Sequence, residues 1–266
     1  MREALALIRV RWLTILSYRM QAIFSFVGLL VSIVPVYFIS RALQPMMAKS
    51  IAHEGQEYFA FVVIGLIAFA FINTATGALH ASFSSDISSG SLEALMATPI
   101  SMPALLVGML GQAFTWTFMR MTILLVGASV LGAQIMWGKA IIAAGILLLL
   151  VLAYVPFGII GAALVVAFRT TGPFPAAVLA ASTLLGGVYY PTSAIPSWLG
   201  FASQLVPLTY GLRALRRVFI DAVPLAAVAP DLAILCGFAA VLFAGSILFF
   251  SWALSHARRA GTLAQY

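Results

Sequence analysis

Long apolar runs separated by short polar stretches dominate this chain from about residue 20 to residue 253. Several runs exceed the roughly 20 apolar residues that an α-helix needs to cross the hydrocarbon core of a bilayer. The pattern predicts an all-α polytopic membrane protein with a single transmembrane domain over residues 1–266. Six predicted spans lie near residues 20–42, 58–81, 103–132, 139–168, 173–189 and 226–253.

Composition and charge agree with a membrane protein. The chain is 63% hydrophobic and 8% charged, with a mean hydropathy of +1.11. A soluble domain keeps roughly a quarter of its residues charged because its surface faces water. The net charge is +7, but the 14 basic residues form no tract. The basic residues therefore indicate contacts with lipid headgroups and argue against a nucleic-acid partner.

The fifth predicted span is unusually short. Pro173 and Pro175 bound its start, Gly186 and Gly187 weaken its end, and Pro191 closes it. Roughly 15 helical residues remain, about 22 Å, against a hydrocarbon core of about 30 Å. Such a helix reaches only part-way, or it ends inside the protein where neighbours satisfy the broken backbone.

The stretch that follows, residues 189–222, contains a second short helix that begins at Pro207. One face of this helix carries three arginines and another carries three apolar residues: Arg213, Arg216 and Arg217, then Leu212, Leu215 and Phe219. Neither piece is typical of a crossing, so we expect re-entrant or interfacial helices.

The basic residues determine orientation only weakly. With the N-terminus inside, seven basic residues lie on the cytoplasmic side and six outside, which is no bias. If the three arginines after Pro207 lie on an interfacial helix, the ratio becomes seven to three.

The loop after the second span predicts a short helix within residues 84–99. Gly90 can cap its start, Glu93 at the third helical position can reach back to free amides, and Pro99 ends it. An ordinary capped connection would explain these signals. The apolar residues of the loop, Leu92, Leu95 and Met96, favour a helix that sits in a groove of another protein.

A second motif lies at the predicted membrane boundary before the last span. It combines aromatic residues, prolines and an arginine: Tyr189, Tyr190, Pro191, Pro196, Trp198, Pro207, Tyr210 and Arg216. An aromatic belt with turn prolines would also explain this pattern.

Together the two motifs resemble those of the membrane subunits of bacterial ABC transporters of the second export type, the ABC-2 family. That family shows a Gly-x-Leu-Glu-x-Leu-x-x-Thr-Pro segment after its second span, matched here by residues 90–99. It also shows an aromatic-Pro-x-Ser-x-x-Pro-x-Trp stretch and a Pro-Leu-Thr-Tyr…Arg stretch before its sixth span, matched by residues 190–198 and 207–216.

The resemblance implies an exporter half-subunit. Residues 1–19 would form a cytoplasmic helix, residues 84–99 a coupling helix, and residues 189–222 short re-entrant helices that face the exterior as a gate. The coupling residues would be Gly90, Leu92, Glu93, Leu95, Met96, Thr98 and Pro99. The implied partners are two copies of an ABC ATPase and a second copy of this chain or a similar half-subunit. The implied location is the bacterial inner membrane, with both termini cytoplasmic.

No signature of catalysis is evident in the sequence. A phosphate-binding loop needs Gly-Lys-Ser/Thr at its end, but the nearest string, Gly132 to Lys139, is followed by Ala140. The histidines are too scattered to suggest a metal site. We therefore expect no enzymatic activity and no cofactor in this chain, with ATP and magnesium bound by the partner ATPase.

Three polar or aromatic residues of the third span, Gln112, Trp116 and Arg120, follow at four-residue steps and so share one face. Arg120 could snorkel or bond helix carbonyls, or it could meet an anionic group of the substrate. Gln112 and Asn73 are more typical of interhelical hydrogen bonds than of ligand contacts.

Two other classes of protein stay open. A secondary transporter would need inverted repeats and intramembrane acids, and we find neither. A membrane scaffold or assembly factor would explain the spans, but not an apolar cytoplasmic helix. An amphipathic cargo (lipid-like, drug or lipid-linked saccharide) is the default expectation, because an apolar half-subunit offers few polar contacts.

Overall fold

The computed structural model describes residues 19–51, 57–88, 102–168 and 172–259, which are mostly helical, with no strand among them. Within these ranges the α-helices are α1 (Arg19–Ile51), α2 (Tyr58–Ser88), α3 (Met102–Val130), α4 (Ala140–Phe168), α5 (Phe174–Leu185), α6 (Ser197–Gln204), α7 (Pro207–Phe219) and α8 (Leu225–Arg259). Short 3-10 turns occupy Trp137–Lys139 and Thr192–Ala194.

Five of these helices, α1, α2, α3, α4 and α8, are long and apolar enough to cross a membrane. The predicted all-α membrane fold is therefore confirmed. The count of six spans is not, because the segment predicted near 173–189 forms the 12-residue α5.

Helix α2 lies at the centre of the bundle and is the most deeply buried of the long helices. It packs against α1, α3, α4, α5 and α7, while α8 packs mainly along α4. Aromatic pairs join α2 to its neighbours: the Phe59 ring lies 5.2 Å from that of Tyr37 in α1, and the Phe71 ring lies 6.5 Å from that of Phe114 in α3. Because α2 is enclosed on most sides, its contacts position the remaining elements.

The C-terminal ends of α1 and α3 and the N-terminal ends of α2, α4 and α8 lie together at one side of the bundle. We call this side the distal end. The backbone N–H of Tyr58 donates to Oε1 of Gln44 at 2.7 Å, which joins α2 to α1. The backbone N–H of Met136 donates to the carbonyl oxygen of Phe219 at 2.9 Å, which brings α7 to the same end.

Helix α5 stops inside the bundle. Its 12 residues span about 18 Å. Near its end, Oγ of Ser182 lies 2.8 Å from the hydroxyl of Tyr154, which is close to the middle of α4. Gly187 then turns the chain with φ +77°, a left-handed conformation that favours glycine. The helix therefore ends among the other helices, which is one of the two outcomes that the sequence predicts.

Candidate functional site

Proline and hydroxyl side chains shape the start of α7. Val206 is extended and Pro207 occupies the first turn, where its missing N–H is no loss. The Thr209 hydroxyl donates to the carbonyl oxygen of Ser203 at 2.7 Å, and the Ser203 hydroxyl donates to that of Leu185 at 2.7 Å. These bonds tie α7 to α6 and to the end of α5.

Arg216 of α7 is buried, with 1% of its surface exposed. Its Nη2 donates to the carbonyl oxygens of Gly187 at 2.9 Å and Val188 at 3.0 Å. Its Nε and Nη2 also donate to the carbonyl oxygen of Phe61 in α2, at 3.3 and 3.2 Å, and its guanidinium lies over the Phe61 ring. Because an unpaired buried carbonyl is costly, Arg216 satisfies the backbone that α5 leaves open where it ends.

Close packing surrounds this arginine. A Cβ on Gly65 would lie 2.3 Å from the carbonyl oxygen of Val188 and 3.0 Å from Nη2 of Arg216. The hydroxyl of Tyr58 donates to the carbonyl oxygen of Tyr189 at 2.7 Å. The start of α2 and the chain after α5 are thus held together by backbone carbonyls, a tyrosine and one arginine.

Helical periodicity predicts that the three arginines of α7 share one polar face, and this prediction is wrong for Arg216. Arg213 pairs with Asp231 of α8 at 3.3 Å, and Arg217 donates to the carbonyl oxygen of Ala227 at 3.3 Å. Arg216 turns into the bundle instead, because its guanidinium has backbone acceptors there. The Arg213–Asp231 pair was missed, although Asp231 lies within the last predicted span, 226–253.

The other predicted gate residues divide by burial. Pro191 and Pro207 are buried, and Tyr190 and Tyr210 are half-buried. The hydroxyl of Tyr190 donates to the carbonyl oxygen of Leu184, and that of Tyr210 donates to Gln204 at 3.0 Å. The exposed members are Tyr189, Pro196 and Trp198. The structure therefore brings Arg216, Pro191 and Pro207 into the packed region and leaves Trp198 on the surface.

In the third predicted span, Trp116 faces α1, with its ring 5.4 Å from that of Phe26. Arg120 follows one turn later, half-buried, and its buried Nε has no hydrogen-bond partner within the part of the chain that the structure describes. Gln112 is half-buried.

Asn73 does not form the expected interhelical hydrogen bond: it is exposed near the middle of α2, and its amide bonds no described residue. Its polarity within an apolar span marks Asn73 in the sequence, but the sequence does not show which way the side chain points.

The predicted coupling segment lies mostly outside the described residues. Residues 84–88 belong to the end of α2, whereas residues 90–99, and with them every predicted coupling residue, fall outside. The N-terminal segment 1–18 also falls outside.

Comparison with known proteins places the chain in a family. The family model described as "ABC-2 type transporter" matches residues 2–220. None of the curated proteins compared with the chain matches it. The matched range includes four of the five long helices, the α5 turn and the Arg216 site, so the chain belongs to the ABC-2 type transporter family and is a transmembrane subunit of an ABC transporter.

Proposed function

We propose that this chain is the transmembrane half-subunit of an ATP-driven exporter, which pairs with a second copy to form a pathway for an amphipathic or lipid-like cargo. A separate ABC ATPase, present in two copies, binds ATP and magnesium. The chain itself carries no catalytic step. The distal end faces the exterior, both termini are cytoplasmic, and the complex lies in the bacterial inner membrane.

The observation that carries the proposal is the exposed amide of Asn73 in the middle of an apolar helix. A polar group facing hydrocarbon is costly, so this face of α2 is better suited to a pathway or a polar partner than to lipid. Phe59 packs on α1, and Gly65 lies against Val188 beyond α5. At 3.6 residues per turn, Asn73 lies on the helix surface between the side of Phe59, which faces α1, and the side of Gly65, which faces the chain after α5.

The helices on either side of that face are uncovered. Many large apolar residues of α1 are exposed, and six of them follow one another at alternating four- and three-residue steps: Met20, Phe24, Val27, Val31, Val34 and Phe38. On α5, the exposed residues are mostly alanines, Ala176, Ala177, Ala180 and Ala181. Heptad-like spacing and small residues both favour close helix pairing within a membrane. A second half-subunit docked on these faces would enclose the Asn73 face.

In this arrangement the Arg216 site supports the exterior end of the pathway. The carbonyls after α5, the start of α2 and α7 meet there. We propose that residues 84–99 dock on the ATPase at the opposite end and transmit its movement through α2, which runs from that end to Phe61.

Purification of the tagged chain from its native cells, followed by reconstitution into vesicles, tests the function. The expected complex contains two copies of this chain and two of an ABC ATPase, and it moves a fluorescent lipid in an ATP-dependent manner. Asn73→Leu should lower transport and keep the complex intact, whereas Asn73→Gln should retain transport. A complex with one copy of this chain and no second membrane subunit would contradict the proposal.

Cysteine cross-linking tests the pairing directly, in a Cys236→Ser background because Cys236 is the only cysteine of the chain. Val31→Cys on the exposed row of α1 should form a dimer on oxidation. Val241→Cys on α8 is the matched control, since it is 72% exposed against 63% for Val31. Equal cross-linking at both positions would indicate random collision in the membrane and would contradict pairing through α1.

A further inference from the structure

A polar cavity of about 360 Å³ lies at the distal end, between the end of α1, the start of α2 and the connection after α3. Ser40, Arg41, Gln44, Glu57, Gly132 and Gln134 contribute to its lining. Its size is at the lower end of the range for small-molecule sites, about 300–1,000 Å³. Since long apolar helices surround it, the cavity concentrates polar groups at the level where the helices leave the membrane.

One side of the cavity carries a positive charge that has no carboxylate partner among the described residues. The guanidinium of Arg41 lies over the ring of Tyr37, 5.4 Å from its centroid. It forms no ion pair within the described ranges, and the side chain is exposed. A guanidinium resting on an aromatic ring keeps its N–H groups for an anion, and phosphate matches its forked geometry.

The other side carries a negative charge fixed in position. Oε2 of Glu57 accepts a hydrogen bond from the backbone N–H of Gln134 at 2.9 Å, which holds the carboxylate against the connection after α3. Oε1 forms no hydrogen bond within the described residues. Arg41 and Glu57 line the same cavity without pairing with each other.

We propose that this cavity binds the headgroup of a zwitterionic phospholipid with a primary ammonium, that is, a phosphoethanolamine headgroup. Arg41 takes the phosphate and Glu57 accepts hydrogen bonds from the ammonium. An anionic phosphatidylglycerol headgroup would place its phosphate at Arg41, but it offers Glu57 only neutral hydroxyls and no ammonium. A choline headgroup carries the positive charge, but it has no N–H to donate to the carboxylate. The site goes beyond the transport function proposed above and does not require it.

Native mass spectrometry of the full chain, purified in detergent and exposed to defined lipids, tests this site. Wild type should retain phosphatidylethanolamine about tenfold more than phosphatidylcholine or phosphatidylglycerol, which is the effect of one charge-assisted hydrogen bond. Glu57→Gln should abolish the preference over phosphatidylcholine, because its amide oxygen can still accept from Gln134 but carries no charge. Arg41→Gln should lower the retention of all three lipids.

Lys49→Gln is the matched control, since it removes a positive charge from the same end of α1 at a residue that does not line the cavity. It should leave lipid retention unchanged, and melting temperatures in detergent should show that all variants are folded. Equal retention of the three lipids by wild type, or an unchanged preference in Glu57→Gln, overturns the proposal. Soluble phosphoethanolamine should compete only weakly; binding of this soluble compound without binding of the intact lipid would overturn the assignment to lipid.

Discussion

The guanidinium of Arg216 donates to the carbonyl oxygen of Phe61, a residue 155 positions earlier in the chain. The same guanidinium donates to the carbonyls of Gly187 and Val188, so three separate segments meet at one side chain. A membrane interior has no bulk water that could donate hydrogen bonds to the carbonyls at a helix break. Here the buried guanidinium of Arg216 donates these hydrogen bonds instead. The early end of α5 and the burial of Arg216 therefore depend on each other, because the arginine satisfies the carbonyls that follow the helix.

Replacement of Arg216 should destabilise the bundle. Arg216→Gln removes hydrogen bonds that a charged donor makes to buried carbonyls, and we expect the free energy of unfolding to fall by about 3 kcal/mol. Thermal or denaturant unfolding in detergent measures the effect. Arg217→Gln is the control, because Arg217 is only half-buried and contributes a 3.3 Å bond to Ala227. Equal stability of the two variants would contradict the role assigned to Arg216.

Two glycines of α2 should respond in opposite ways to alanine. A Cβ on Gly65 would come within 2.3 Å of the Val188 carbonyl oxygen, so Gly65→Ala should lower stability by about 2 kcal/mol. Gly77 has nothing within 4 Å of the corresponding position. Gly77→Ala should therefore be neutral or stabilise the helix by up to about 1 kcal/mol. Similar melting temperatures for both variants would show that the chain after α5 is not packed against α2.

The hydroxyl of Tyr154 should couple to that of Ser182. The Ser182 hydroxyl donates to the carbonyl oxygen of Val178 at 2.7 Å, so Tyr154 is the donor in the 2.8 Å contact between the two side chains. Tyr154→Phe should lower the free energy of unfolding by about 1 kcal/mol. In a double-mutant cycle, Tyr154→Phe should therefore cost much less stability in the Ser182→Ala background than in wild type. Tyr210→Phe, which loses an exposed bond to Gln204, is the control and should change little.

Glu93 should affect coupling and leave folding intact. The sequence places it at the start of a helix, where a carboxylate contributes about 0.3–1 kcal/mol through the helix dipole. Glu93→Ala should insert normally yet lower transport and substrate-stimulated ATP hydrolysis in reconstituted vesicles. Wild-type transport by this variant would argue that residues 84–99 are an ordinary connection between spans.

Arg120 offers a test of cargo charge. Its buried Nε lacks a hydrogen-bond partner among the described residues, so Arg120→Gln should insert at least as well as wild type. If the side chain faces the pathway, the variant should export an anionic cargo less well while export of a neutral cargo is unchanged. Paired measurements of melting temperature and vesicle transport distinguish this from a structural role, which would alter stability and leave cargo preference untouched.

The sequence by itself determined the class of fold and the places where helices break. A run of apolar residues long enough to cross the bilayer as a helix predicts a span by itself. No knowledge of the neighbouring helices is needed, because each helix satisfies its own backbone hydrogen bonds. Pro173, Pro175 and the glycine pair at 186–187 likewise limit α5 locally, through missing donors and a flexible backbone. The two motifs, in their order, were enough to predict the family.

Only the tertiary structure decided which polar residues are buried and which are exposed. Helical periodicity groups Arg213, Arg216 and Arg217 on one face, but it cannot show that backbone carbonyls of α2 and of the turn after α5 lie beside the middle one. It also cannot show that Asn73 is exposed at the middle of α2. Both outcomes depend on how segments distant in sequence pack together, because packing decides whether a polar group meets a hydrogen-bond acceptor or stays exposed.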